Sequence, residues 1–298
     1  MGRLPPPELP DWLKAQLPFD RYMVEVGDGL RMHVMEQGEG RPVLLFHGNP
    51  TWGYLYRKVA AQLTDEPLRL IMPDLIGLGF SDRPNSAADH TMLNHPRWMA
   101  GMLGQLDLED AVVVVQDWGG PIGLHSVSQS PGLMTGLVVM NTSIDAPKPG
   151  FKGTKFHRVM GGPLGGFISK GLGFPQKRLR FAQGDRDSIR GVVQKSYSYP
   201  LTRARGNDAP RALVLMVPDG MDHESVGPLR EVGDFVRAFE GPSAIVWGDR
   251  DPVLGRLRRR TERMLPDATV TATEAGHFLQ EEVPAEIAAA IRDVVSRS

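Results

Sequence analysis

Two short stretches of alternating apolar and polar residues, Arg21–Val26 and Leu30–Met35, flank Gly27-Asp28-Gly29. This spacing predicts a β-hairpin closed by an Asp-Gly turn. Beyond it the alternation gives way to short continuous apolar runs at Val43–Phe46, Leu68–Met72, Ala111–Val115, Leu137–Met140, Ala244–Trp247 and Ala268–Ala272. Continuous apolarity predicts strands covered on both faces, as in a parallel sheet between helices. Helical periodicity falls between the runs, at Tyr54–Leu63, His95–Leu106, Gly120–Gln129, Leu254–Met264 and Ala285–Val295, the last opened by the helix-start residue Pro284. Strand alternating with helix predicts an α/β fold, a mostly parallel, doubly wound sheet. The regularity fails between about Asp145 and Pro210, a stretch dense in Gly, Pro and basic residues that contains GGPLGG and GLGFP. It reads as a cap inserted over the sheet, dividing the chain into core (1–145), cap (146–210) and core (211–298). Phe151, Phe156, Phe167, Phe174 and Phe181 demand burial there, which argues against a long disordered loop.

Composition narrows the classes of function. The 298 residues are 41% hydrophobic and 23% charged, ordinary values for a chain with a sizeable core. The formal net charge is −1, and Lys and Arg read as scattered, so no nucleic-acid or membrane partner is expected. The basic run Arg256–Arg260 reads as a solvated helix face. Cysteine is absent, which removes disulfides, thiolate metal sites and a thiol nucleophile together. The N-terminal MGRLPPPELP lacks an apolar signal region, Pro6 stands where myristoylation wants Ser or Thr, and no apolar run is long enough to span a bilayer. A cytoplasmic protein is expected.

The chemistry centres on Val112–Gly120, VVVVQDWGG, an apolar strand running straight into a helix. That is the shape of a nucleophile elbow, usually G-x-S-x-G; here Asp117 replaces Ser, Gly119 is kept and Val115 stands at the first glycine position. Capping of the following helix is the plain alternative role for Asp117. A carboxylate needs no base to displace a leaving group from saturated carbon, but the resulting ester needs a general base for hydrolysis. An Asp elbow therefore calls for a downstream His and an acid to orient it. His277, in Glu274-Ala275-Gly276-His277-Phe278 after the last strand, fits that place better than the other seven histidines. Asp251 in WGDRDPV is the preferred acid, with Asp249 the competitor that more simply shapes the turn; Asn141, at the alternative acid position, is no carboxylate. The HGNPTW stretch offers a backbone N–H at Asn49 which, with that of Trp118, would make an oxyanion hole. The Asn49 amide and the Trp118 indole N–H are two neutral donors suited to a departing halide, which needs charge stabilisation but no proton. Asn49 as a loop-shaping residue is the alternative, and His47 reads as structural.

Together these stretches resemble the haloalkane dehalogenases of the α/β-hydrolase fold. The match lies in HGNPTWGYLYRKV (47–59), MPDLIGLGFSDRP (72–84), VVVVQDWGGPIGL (112–124), VWGDRDPVLG (246–255) and AGHFLQEEVP (275–284), whereas the cap contributes little beyond Tyr197 and Pro200. The resemblance implies Asp117 as nucleophile, His277 as base, Asp251 as acid and Trp118 as one halide donor. One subfamily takes its second donor from a cap tryptophan, but the tryptophans here stand at 12, 52, 98, 118 and 247, so Asn49 is the implied donor. That combination resembles a third subfamily noted for forming oligomers. The implied substrate is a small halogenated hydrocarbon bound in an apolar cavity under the cap, released as alcohol, halide and proton without metal or organic cofactor. An epoxide hydrolase would share the Asp nucleophile and use cap tyrosines as acids, for which Tyr197 and Tyr199 are candidates. No Arg pair lies beside Asp117 to hold the carboxylate of a fluoroacetate. A non-catalytic binding protein on the same fold remains a different class of reading.

Overall fold

The computed structural model describes residues 2–153, 155–171, 173, 175–203 and 208–298. Eight strands form one sheet: β1 (Asp20–Gly27), β2 (Leu30–Gln37), β3 (Arg41–Phe46), β4 (Leu68–Pro73), β5 (Ala111–Val115), β6 (Met134–Met140), β7 (Ser243–Gly248) and β8 (Thr269–Thr273). Their order is β1-β2-β4-β3-β5-β6-β7-β8. The β1–β2 hairpin is antiparallel, β2 runs antiparallel to β4, and every pairing from β4 to β8 is parallel.

Ten α-helices accompany the sheet among the described residues: α1 (Asp11–Lys14), α2 (Arg57–Gln62), α3 (Asn94–Leu103), α4 (Gly119–Ser128), α5 (Lys155–Gly161), α6 (Gly191–Arg203), α7 (Ala209–Leu215), α8 (Val226–Arg237), α9 (Arg258–Met264) and α10 (Pro284–Arg297). Successive strand residues serve opposite faces. In β5, Val113 and Val115 join the core under α3, α4 and α8, while Val112 and Val114 join the core under α2 and α10. All five β5 residues are fully buried, worth about 1.5–3 kcal/mol for each large apolar side chain. The strand that carries the elbow is thereby held from both sides.

Three expectations need revision. Strand β8 is an edge strand with Thr269, Val270 and Ala272 exposed; it is not buried on both faces, because only β7 packs extensively against it. Helix α8 is absent from the predicted elements, although Val226, Leu229, Val232 and Val236 bury one helical face, because Gly227, Pro228 and Gly233 obscure the pattern. Phe167 and Phe181 are 64% and 50% exposed, so burial is not what orders them; the side chains of Phe156 and Phe174 lie outside the described residues.

Between β6 and α8 the chain leaves the sheet and crosses the ends of the strands. Trp52 Nε1 donates to the Ser196 carbonyl on α6, and the Ala182 carbonyl accepts from His277 N–H. Tyr197, fully buried, donates to Glu281 Oε1 at 2.6 Å, where Arg57 also makes a two-pronged ion pair. Each of these core partners follows the carboxyl end of a strand, where ligands of doubly wound sheets bind.

Candidate active site

The chain turns sharply after β5. Asp117 adopts φ +47°, a left-handed conformation that costs a non-glycine residue about 1–3 kcal/mol and persists only where its surroundings hold it. The hold is explicit. Asp117 N–H donates to the Asn141 carbonyl at 3.0 Å, and the Asp117 carbonyl accepts from Gly120 N–H at 3.0 Å and Thr142 Oγ1 at 2.6 Å. A Cβ on Gly119 would strike the Phe46 carbonyl, and one on Gly48 would strike Asp117 Oδ1 itself. Val115 is accommodated at the first glycine position as a strand residue paired with Phe46.

The two oxygens of Asp117 have different surroundings. Oδ1 accepts the backbone N–H of Asn49 at 2.7 Å, whereas Oδ2 lies 3.5 Å from His277 Nε2. The carboxylate side chain keeps 15% exposure, enough for a small reactant to reach it. Neither the backbone N–H nor the indole N–H of Trp118 is engaged by another described residue. The Asn49 side chain turns its amide nitrogen to the Pro210 carbonyl at 2.9 Å; among the described residues its second N–H and its buried Oδ1 meet no partner.

His277 sits on the loop after β8 with its ring edge against Phe278. Its Nδ1 lies 2.8 Å from Asp251 Oδ2. An ionised carboxylate can only accept, so Nδ1–H donates and Nε2 is the atom that faces Asp117. Burial alone would lower the His277 pKa, but the Asp251 charge, with hydrogen bonds and attraction from both carboxylates, pushes it up to about 10. Burial alone would raise the Asp251 carboxyl, but His277, the Asn141 amide and Val253 N–H hold it below the ordinary value. Asp249 is elsewhere, in a half-exposed pair with Arg258 at 2.8 Å.

Two contributors escape a reading of the sequence. Asn141 donates to Asp251 Oδ2 at 2.8 Å and to the Gly248 carbonyl at 2.9 Å, and accepts from Gly248 N–H at 2.8 Å. The amide excluded as an acid thus steadies the acid. Gln116 donates to the His277 carbonyl at 3.0 Å, and its place beside the nucleophile is the only hint of that role. His47 is buried and structural: its Nε2 accepts from Leu75 N–H at 2.9 Å, and burial lowers its pKa. No group of three or more His, Cys, Asp or Glu able to hold a metal occurs among the described residues.

This geometry can be set beside known proteins. The family model of the alpha/beta hydrolase fold matches residues 41–284. A haloalkane dehalogenase of Mycobacterium marinum is 33% identical over 280 residues, covering 91% of this chain and 92% of that protein. The chain belongs to the haloalkane dehalogenases. As a member of that family it is a hydrolase of carbon–halogen bonds. Solved structures agree on the fold: haloalkane dehalogenase DatA from Agrobacterium tumefaciens C58 has TM-score 0.81 at 22% identity, covering 94% of this chain and 97% of that one. The tetrameric haloalkane dehalogenase DpaA from Paraglaciecola agarilytica NO2 has TM-score 0.75 at 25% identity and 98% coverage of both chains.

Proposed function

We propose that this haloalkane dehalogenase works through a covalent alkyl ester on Asp117, with His277 as base and Asp251 as its acid partner. The observation that carries the reading is the division of labour between the two Asp117 oxygens. Oδ2, free of backbone donors, attacks the halogen-bearing carbon; a C–O bond forms as the C–X bond breaks and X⁻ departs. The Trp118 indole and the free N–H of Asn49 receive the halide. Oδ1 becomes the ester carbonyl oxygen, already on the Asn49 N–H and within the turn of Trp118, where an oxyanion is stabilised. Water, deprotonated by His277 Nε2, adds to the ester carbonyl carbon, and collapse returns the Asp117 carboxylate, the alcohol and a proton. Esterification removes the Asp117 charge, one of the influences that raise the His277 pKa, so the first step helps free the base for the second.

Substrate would lie between the core and a cap running from 146 to 210, a boundary that falls within α7. The Asp–His–Asp set with Asn and Trp donors fits the third subfamily, and the tetramer formed by DpaA makes a homo-oligomer the expected assembly. Epoxide opening is disfavoured because the Tyr197 hydroxyl is committed to Glu281 and Tyr199 packs against Trp12 and Phe80.

His277→Phe tests the roles. Incubated with 1,2-dibromoethane, the variant should accumulate a bromoethyl adduct on the peptide containing Asp117, seen by mass spectrometry. An unmodified peptide after prolonged incubation contradicts the assignment.

A further inference from the structure

The near-neutral charge total conceals a segregated segment. Residues 146–184 hold eight Lys and Arg and no Asp or Glu, against a chain total of −1. Elsewhere many cations are answered, Arg57, Arg69, Arg237, Arg258, Arg260 and Arg292 pairing with carboxylates, while Arg230, Arg256, Arg259 and Arg263 are exposed and form no ion pair among the described residues. Here Lys148, Lys152, Arg158, Lys177 and Arg178 are exposed and form no ion pair among the described residues. The same segment displays large apolar side chains to solvent, namely Val159, Leu164, Phe167 and Phe181. Phe181 is ringed by the guanidinium groups of Arg178, Arg180 and Arg186, 5.8, 5.6 and 5.5 Å from its centre.

We propose that this cap face docks on a bilayer bearing anionic lipid headgroups. Unanswered cations beside exposed apolar side chains are the composition of an interfacial surface: the cations meet headgroup phosphates while the apolar groups enter the acyl boundary. Nucleic acid would satisfy the cations equally but offers nothing to Val159 and Leu164, which can neither stack on bases nor bond to phosphate. Among the described residues no carboxylate pairs with these five cations, although Asp219 lies against Gly153 and Asp185 and Asp187 follow the segment. Docking would hold the cap against the phase in which apolar haloalkanes concentrate. This runs against the expectation of no membrane partner, which rested on the chain-wide balance.

Vesicle co-sedimentation of the full chain tests it. Binding should appear on mixed phosphatidylcholine–phosphatidylglycerol vesicles, be absent on pure phosphatidylcholine, and fall away at molar salt. Each basic side chain near such a surface is worth about fivefold in affinity, so Lys152→Glu combined with Arg158→Glu and Lys177→Glu should weaken binding by about a hundredfold or more. Phe167→Ser should weaken it while sparing the salt-sensitive component. Unchanged melting and halide release from a water-soluble substrate show that the variants are folded. No binding to the mixed vesicles at low salt, equal binding by the charge-reversed variant, or tighter binding to a single-stranded oligonucleotide than to the vesicles would overturn the proposal. None of these outcomes bears on the chemistry at Asp117.

Discussion

Among single residues, the two oxygens of Asp117 matter more than its presence. One accepts a backbone N–H from Asn49 and the other faces the imidazole of His277. Asp117, His277 and Asp251 are legible in the sequence because strand, turn and residue type coincide in short motifs. That Asn141 clamps Asp251 is not, since the contact joins positions 110 residues apart. Nor is the sharing of the Asn49 amide with Pro210. Asn49→Ala should slow halide release by about ten- to a thousandfold, the scale of losing one preorganised donor, as read by rapid-quench measurement of the first turnover. An unchanged rate would place the second donor elsewhere.

His277 also sets a pH dependence of stability. Its pKa in the folded protein is raised to about 10 from 6.5, so the native state binds its proton more tightly than the unfolded chain does. The resulting stabilisation is fully present below about pH 6.5 and is lost as pH rises through about 10. The melting temperature should therefore decline across that interval. A flat profile there would contradict an imidazolium resting between the two carboxylates.

Among the secondary-structure elements, what can be read is whatever repeats within a few residues. The hairpin and all eight strands follow from local alternation or apolar runs, and α10 from its period and Pro284. Helix α8 is hidden because its apolar positions are interrupted by two glycines and a proline, and only packing against α4 makes the face coherent. Helix α6 is tied down through Tyr197, whose hydroxyl reaches a buried carboxylate that already holds Arg57. Tyr197→Phe removes a hydrogen bond to a charged group and should cost about 1.5–3 kcal/mol in chemical unfolding, with the first-turnover halide burst retained. Loss of the burst would give Tyr197 a part in the chemistry and revive the epoxide-type reading.

Across the molecule, the doubly wound order of strands gathers residues 49, 117, 251 and 277 at one edge of the sheet, although they are spread over most of the chain. That convergence is legible because the order of such elements along a chain restricts the topologies it can take. The stretch between β6 and α8 is legible only as an interruption. Its contacts join positions with no local pattern, some to distant loops, such as the Ala182 carbonyl on His277 N–H, and some within the stretch, such as the Gln194 amide on the Gln176 carbonyl. Its aromatic residues follow the same logic, since the half-exposed Phe181 is covered by guanidinium groups and not by a core.

In the proposed mechanism water attacks the Asp117 ester and not the haloalkane. A single turnover in ¹⁸O-labelled water, with enzyme in excess over substrate, separates the two routes. Through the ester, the label enters the Asp117 carboxylate while the alcohol carries the unlabelled oxygen that was Asp117 Oδ2. Label in the alcohol, with Asp117 unlabelled, would mean that water displaces the halide directly and that no ester forms.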